Sequence, residues 1–191
     1  MVPTKDEGKR EVDLTPEEAV EVAEELHQLL SEEDAALLDK HRRTLIGSYS
    51  HTLDSKGRLV VPLAFRELLG ESFCIAPSFD FKSIAVYPEL QYARMREGYD
   101  RLVKAHMKPQ LQRYLQQFDA FSYRNQECDG QGRVLLPARI RQVILGDEKD
   151  VEITGAGDHV CIVPKPSFDE GLQDFLASLP ETLEMIGTLS E

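Results

Sequence analysis

The feature that most constrains this chain is an internal repeat. Asp54-Ser-Lys-Gly-Arg58-Leu-Val-Val-Pro62-Leu-Ala-Phe-Arg66-Glu-Leu-Leu69 is echoed 75 residues later by Asp129-Gly-Gln-Gly-Arg133-Val-Leu-Leu-Pro137-Ala-Arg-Ile-Arg141-Gln-Val-Ile144. Asp, Gly, Arg, Pro and Arg recur at the same five places, with apolar residues matched between them. Further on, Ile84-Ala-Val-Tyr-Pro88 matches Val160-Cys-Ile-Val-Pro164 at an offset of 76. Self-similarity at a fixed spacing means that one supersecondary unit is used twice. A unit of about 50 residues with short strands and one short helix buries little apolar surface alone, so the two copies are expected to share a core about a pseudo-twofold axis.

Each unit parses the same way. A polar strand (about 47–53 and 121–128) leads into the Asp-x-x-Gly-Arg turn, where the Asp accepts backbone N–H groups just after it and the Gly supplies a positive φ. A short β-branched and Leu strand follows (59–61 and 134–136). Pro62 and Pro137 are placed to open a helix at its first position. Phe65, Leu68 and Leu69, ended by Gly70, give that helix an apolar face, as do Ile140, Val143, Ile144 and Gly146 in the second copy. Two more strands close each unit, 73–76 with 83–87 and 151–154 with 159–163. Between the units, helical stripes run over about 89–106 and 109–117, separated at Pro109. After the second unit, Ser167-Phe-Asp-Glu170 has the form of a capping box for an amphipathic helix carrying Phe168, Leu172, Phe175, Leu176 and Leu179, with the last dozen residues expected to fray.

The repeated turn carries the chemistry. A hairpin turn needs only the Asp and the Gly, and the Arg could simply pair with the Asp. Yet Arg58 and Arg133 recur, and a second arginine, Arg66 or Arg141, recurs eight residues on. Two symmetry-related arginine pairs make a two-lobed basic surface to which Lys56 and Arg139 add, with His51 and Arg124 as further candidates. Guanidinium groups match phosphates and the O6/N7 edge of guanine. Two lobes would suit successive grooves of a duplex. The nucleic-acid site residues on this reading are Lys56, Arg58, Arg66, Arg133, Arg139 and Arg141. Asp54, Gly57, Asp129 and Gly132 form the turns.

The net charge of -12 argues against this at first sight. Residues 1–40, however, hold four basic residues against thirteen acids, a local charge of -9, so residues 41–191 carry only -3. The acid belongs to an N-terminal extension that reads as helical. Thr15, Pro16 and Glu18 form a helix start, and Ala19, Val22, Ala23, Leu26, Leu29 and Leu30 follow helical spacing. Ser31-Glu-Glu-Asp34 restarts a short helix ending near Leu38, and residues 1–12 read as disordered. The extension is either a solvated helix packing one face on the body or a neighbouring subunit, or an acidic arm competing with nucleic acid for the basic surface.

Other classes find little support. Cys74, Cys128 and Cys161 are far apart, with no CxxC, and read as small core residues. The histidines show no metal spacing, and neither a metal nor a cofactor is expected. No GxSxG, P-loop or GxGxxG followed by the right helix occurs, and Gly155-Ala-Gly157 reads as a hairpin turn, so the chain is not read as an enzyme. No apolar run approaches the roughly 20 residues of a membrane span. The N-terminus has no signal-peptide hydrophobic region, which points to the cytoplasm.

The doubled segment beginning at Asp54 and Asp129, with the preceding Gly47-Ser-Tyr-Ser-His-Thr-Leu53, resembles the signature of MraZ proteins, bacterial transcriptional regulators with two AbrB-like modules per chain. The resemblance covers about residues 45–180. It implies an α+β fold: a tandem duplication of double-split β-barrel (swapped-hairpin) units with interleaved helices, here with the acidic helical extension added. The domains would be 1–44 extension, 45–91 module 1, 92–119 helical linker, 120–166 module 2 and 167–191 C-terminal helix and tail. It implies a homo-oligomeric ring that binds double-stranded DNA at tandem promoter repeats of the division and cell-wall gene cluster, represses transcription, and associates with the nucleoid. The family's Asp-x-x-x-Arg motif falls on Asp54/Arg58 and Asp129/Arg133, and the helix arginine of AbrB-like modules on Arg66 and Arg141. The extension departs from the family pattern, Cys128 stands where the first copy has Leu53, and the second turn lacks the Lys found at position 56. The competing reading is a ring-forming assembly or partner-binding module whose arginines serve subunit salt bridges.

Overall fold

In the computed structural model, which describes residues 32, 34, 36, 37 and 39–189, each repeat is organised around its Asp-x-x-Gly-Arg turn. Asp54 Oδ1 accepts the N–H groups of Lys56 and Arg58, both at 2.9 Å. The Gly57 N–H donates to the Asp54 carbonyl at 2.9 Å. Gly57 sits at φ +77° and Gly132 at +73°, a region that a β-carbon disfavours. The first repeat supplies β1 (Ser48–Thr52), β2 (Arg58–Val60), α1 (Leu63–Leu69), β3 (Phe73–Pro77) and β4 (Ile84–Pro88). The second supplies β5 (Tyr123–Gln126), β6 (Arg133–Leu135), α4 (Ala138–Ile144), β7 (Asp150–Gly155) and β8 (Val160–Pro164). Between them lie α2 (Glu89–His106) and α3 (Pro109–Ala120), and α5 (Lys165–Leu189) follows.

Pro62 and Pro137 take the N-cap, one residue before the position that the sequence pattern assigned them. The Pro62 carbonyl accepts the Phe65 and Arg66 N–H groups, so the ring sits where its missing N–H costs no helical bond. Met107, in the left-handed conformation, ends α2, and Pro109 opens α3 at its first turn. The interhelical corner is held by Arg96, whose Nε and Nη2 donate to the two Asp119 oxygens at 2.8 and 2.9 Å. α5 begins at Lys165, two residues before the expected capping box, and stays helical to Leu189 through Pro180, where fraying was expected.

All strands pair antiparallel. The main sheet has the order β1-β7-β8-β4-β3-β5, and β2 and β6 form a separate two-stranded ribbon. The order is a palindrome when the repeats are exchanged. β1 of the first repeat pairs with β7 of the second, β5 of the second with β3 of the first, and β4 meets β8 at the centre. The symmetry is broken at β5, where a bulge opposite Phe73–Ile75 places Asn125 at φ +53°.

Strand alternation sorts the side chains to two faces. On one face Ile75, Ile84, Val86, Ile153 and Ile162 meet Phe65, Ile140, Leu59 and Val134 in a core drawn from both repeats. On the other, Cys74, Ala76, Ala85 and Tyr87 lie under Tyr92 and Phe118 of the α2–α3 pair. α5 packs against β7 and β8, where Glu152, 5% exposed, accepts from Ser48 and Ser50 and faces Lys165 Nζ at 3.4 Å. Burial pushes this carboxyl up, but the two hydroxyls and the ammonium outweigh it and leave it below its ordinary value. Cys74 is buried, which raises its thiol to about 12, while Cys128 and Cys161 are half-buried.

Arg43–Glu191 forms one compact unit. Within Met1–Arg42, the described residues between 32 and 42 are helical, so this helix runs past Leu38, where its end was expected. The expected disorder of 1–12 and the helix from Thr15 to Leu30 lie outside the described residues. Among the described residues no helix is long and apolar enough to cross a membrane.

Candidate nucleic-acid interface

Three-residue strands carry the motif arginines. In the ribbon, Arg58 lies opposite Leu135, Leu59 opposite Val134 and Val60 opposite Arg133. Leu59 and Val134 are buried. By alternation, Arg58, Val60, Arg133 and Leu135 therefore share the outer face. Strand rise and spacing put the two arginine Cα atoms roughly 8 Å apart. That is less than the width of one major groove, about 12 Å, and far below the spacing of successive grooves. The expectation of two lobes spanning successive grooves is corrected here: the arginines are the two ends of one small ribbon, because β2 and β6 pair with each other across the pseudo-twofold.

Each arginine is tied to its own turn. Arg58 Nε and Nη2 both reach Asp54 Oδ2 at 2.7 Å. Arg133 Nε and Nη2 reach Asp129 Oδ2 at 2.8 and 2.7 Å. The side chains are 29% and 27% exposed, so each keeps an accessible edge. Of five guanidinium N–H bonds, the Asp takes two and three remain for another acceptor. The backbone N–H of Arg58 first, then its side chain and the Lys56 N–H, outweigh desolvation and lower the Asp54 carboxyl to about 2. Asp129 is likewise lowered to about 2, chiefly by the Arg133 side chain and then its backbone N–H. Both aspartates stay ionised in neutral solution and hold their arginines in one orientation.

The remaining predicted residues are placed differently. Lys56 is exposed on the first turn. Arg139 is exposed on α4, its guanidinium 5.0 Å from the Phe121 ring centroid. Arg124 faces Glu89 at 3.7 Å, and His51 sits within β1 opposite Val151. Arg66 and Arg141 are half-buried and lie against the turns of the opposite repeats. A β-carbon on Gly57 would overlap the Arg141 guanidinium, and one on Gly132 the Arg66 guanidinium. The turn carbonyls are tied the same way: Leu136 N–H donates to Gly57 O at 3.1 Å and Val61 N–H to Gly132 O at 2.9 Å. Sequence reasoning missed this crossing and the outward Val60 and Leu135. The only signal was the recurrence of a Gly and a helix Arg at matching repeat positions, which says nothing about which copy meets which.

Among the described residues, no group of three His, Cys, Asp or Glu could hold a metal ion. The class is thus a mixed α+β protein on an antiparallel sheet, whose duplicated Asp-Arg turns flank one exposed ribbon. A family model described as "MraZ protein, putative antitoxin-like" matches residues 44–113. A protein of Lachnoclostridium phytofermentans named "Transcriptional regulator MraZ" is 31% identical over 142 residues, 74% of this chain and 96% of that protein. Proteins of the same name from Desulfitobacterium hafniense and Lactiplantibacillus plantarum are 34% and 38% identical, over 74% and 58% of this chain and 98% and 81% of theirs. The chain belongs to the MraZ family, which is not a family of enzymes.

Proposed function

We propose that the chain is a sequence-specific DNA-binding transcriptional regulator, a repressor acting as an oligomeric ring on tandem promoter repeats of the division and cell-wall gene cluster. The observation that carries the DNA reading is the pair of aspartate-oriented arginines at the two ends of one exposed ribbon. A two-stranded ribbon fits a major groove, and an arginine with free donors pairs with guanine or phosphate. Lys56 on the first turn and Arg139 on α4 are further exposed cations on this reading. The relatives' name supports the regulatory role. The interleaved strands support the swapped-hairpin form of the two modules, 45–91 and 120–166. Ring assembly draws on the exposed stripe of α5, where Leu172, Phe175, Leu176, Leu183 and Ile186 are 45–58% exposed, the kind of surface a subunit interface covers.

The competing reading is a ring scaffold that binds no DNA. Its specific support is that Arg58 and Arg133 already have acidic partners. Mobility shift with duplexes carrying one, two or more copies of a tandem repeat from the promoter separates the two. A regulator of this kind loses affinity steeply as salt rises and gains it with repeat number. Arg58→Ala with Arg133→Ala is expected to abolish the shift while oligomer size and Tm stay near wild type. Loss of folding or assembly in that variant would instead make the arginines structural.

A further inference from the structure

We propose that Arg66 and Arg141 are positioning residues that act crosswise: each holds the arginine-bearing turn of the opposite repeat in its working shape. The evidence is geometric and doubled. The Arg141 guanidinium occupies the place of a side chain on Gly57, at the heart of the Asp54–Arg58 turn, and the Arg66 guanidinium does so at Gly132. Both glycines are buried and left-handed, so each turn presents bare backbone to the incoming plate. Each turn is also pinned by the opposite repeat's backbone, through Leu136 N–H to Gly57 O and Val61 N–H to Gly132 O. Arg66 Nε is buried without a hydrogen-bond partner, so its hold on the turn is one of packing there, not of ion pairing.

The two arginines stand on short helices whose inward residues, Phe65 and Ile140, are fully buried, which fixes where the guanidiniums lie. The consequence is that neither turn is shaped by its own repeat alone. Damage to the helix of one copy is transmitted to the arginine of the other. On the DNA-binding reading, on which this functional consequence rests, Arg58 and Arg133 make the ribbon's contacts and the helix arginines set their orientation.

The test reads each turn separately. The carboxyl groups of Asp54 and Asp129, titrated by carbon-13 NMR in the full chain, report whether each turn still holds its aspartate near 2. In Arg141→Ala, Asp54 is expected to move at least halfway to the ordinary value of about 3.9 while Asp129 stays put. In Arg66→Ala the reverse is expected. The undisturbed turn shows in each case that the protein is folded. A shift in the same repeat as the substitution, equal shifts in both turns, or no shift overturns the proposal. DNA binding is measured alongside with the promoter duplex. Crossed titration shifts in a chain that never binds the duplex would defeat the DNA reading and leave the positioning role standing. Binding abolished by Arg58→Ala with Arg133→Ala, without crossed shifts, would do the opposite.

Discussion

At the residue scale, the aspartates of the two turns are the most heavily used side chains. Each carboxylate accepts two backbone N–H groups and two guanidinium N–H groups, and is held at about 2 as a result. The folded value lies below that of an unfolded Asp, about 3.9, so ionisation stabilises the fold above that pH. This contribution is lost as pH falls from about 4 towards 2, when the carboxylates protonate. The midpoint of denaturant unfolding in wild type is expected to drop across that window more steeply than in Asp54→Asn with Asp129→Asn. Equal slopes would show that the turns make no such contribution. The pairing of Asp with Arg four residues on was legible in the sequence, because a turn of this length brings position 1 and position 5 together. The exposure left to the arginine was not, since it depends on what packs beside the ribbon.

At the element scale, the short helices α1 and α4 were readable from their apolar spacing and their flanking Pro and Gly. Which apolar residues face the core was not uniformly readable. Ile140 is fully buried while Val143, assigned to the same face, is 55% exposed. A seven-residue helix presents only two turns, and its rotation is set by the sheet beneath it. Ile140→Ala is therefore expected to cost about 2–5 kcal/mol. Val143→Ala is expected to stay within about 0.5 kcal/mol of wild type, both measured by denaturant unfolding. A large loss at Val143 would mean that it is covered in an assembly. The C-terminal stripe shows the same limit: Phe175 and Leu176 follow helical spacing, yet they are half-exposed in the chain.

At the scale of the whole molecule, the decisive arrangement is the exchange of first strands. β1 has its partner in the second repeat and β5 in the first, and Leu45 bridges to Gly157. A fragment of residues 43–119 would leave β1 without β7 and the β2 ribbon without β6, exposing both edges and half the core. It is expected to show no cooperative unfolding, whereas residues 43–191 melt in a single transition by circular dichroism. A cooperative transition in the fragment would mean that a repeat folds alone. The split of the charge into an acidic extension and a nearly neutral body also belongs to this scale. It removes the objection that a total of -12 raises against a nucleic-acid partner.

The sequence by itself determined the duplication, the chemistry of the turn and the order of elements within each copy, because these rest on local spacing, turn residues and backbone preference. Only the tertiary structure decided how the copies interlock: that the ribbon joins them, that first strands change places, and that each helix arginine lies on the other copy's glycine. The Asp, Gly, Arg, Pro and Arg of the motif are the same in the two repeats, so they cannot distinguish a partner within a repeat from its counterpart 75 residues away. The choice is made by burial. The crossed arrangement puts Leu59, Phe65, Val134 and Ile140 into one core, where two separate repeats would have divided them between two small ones.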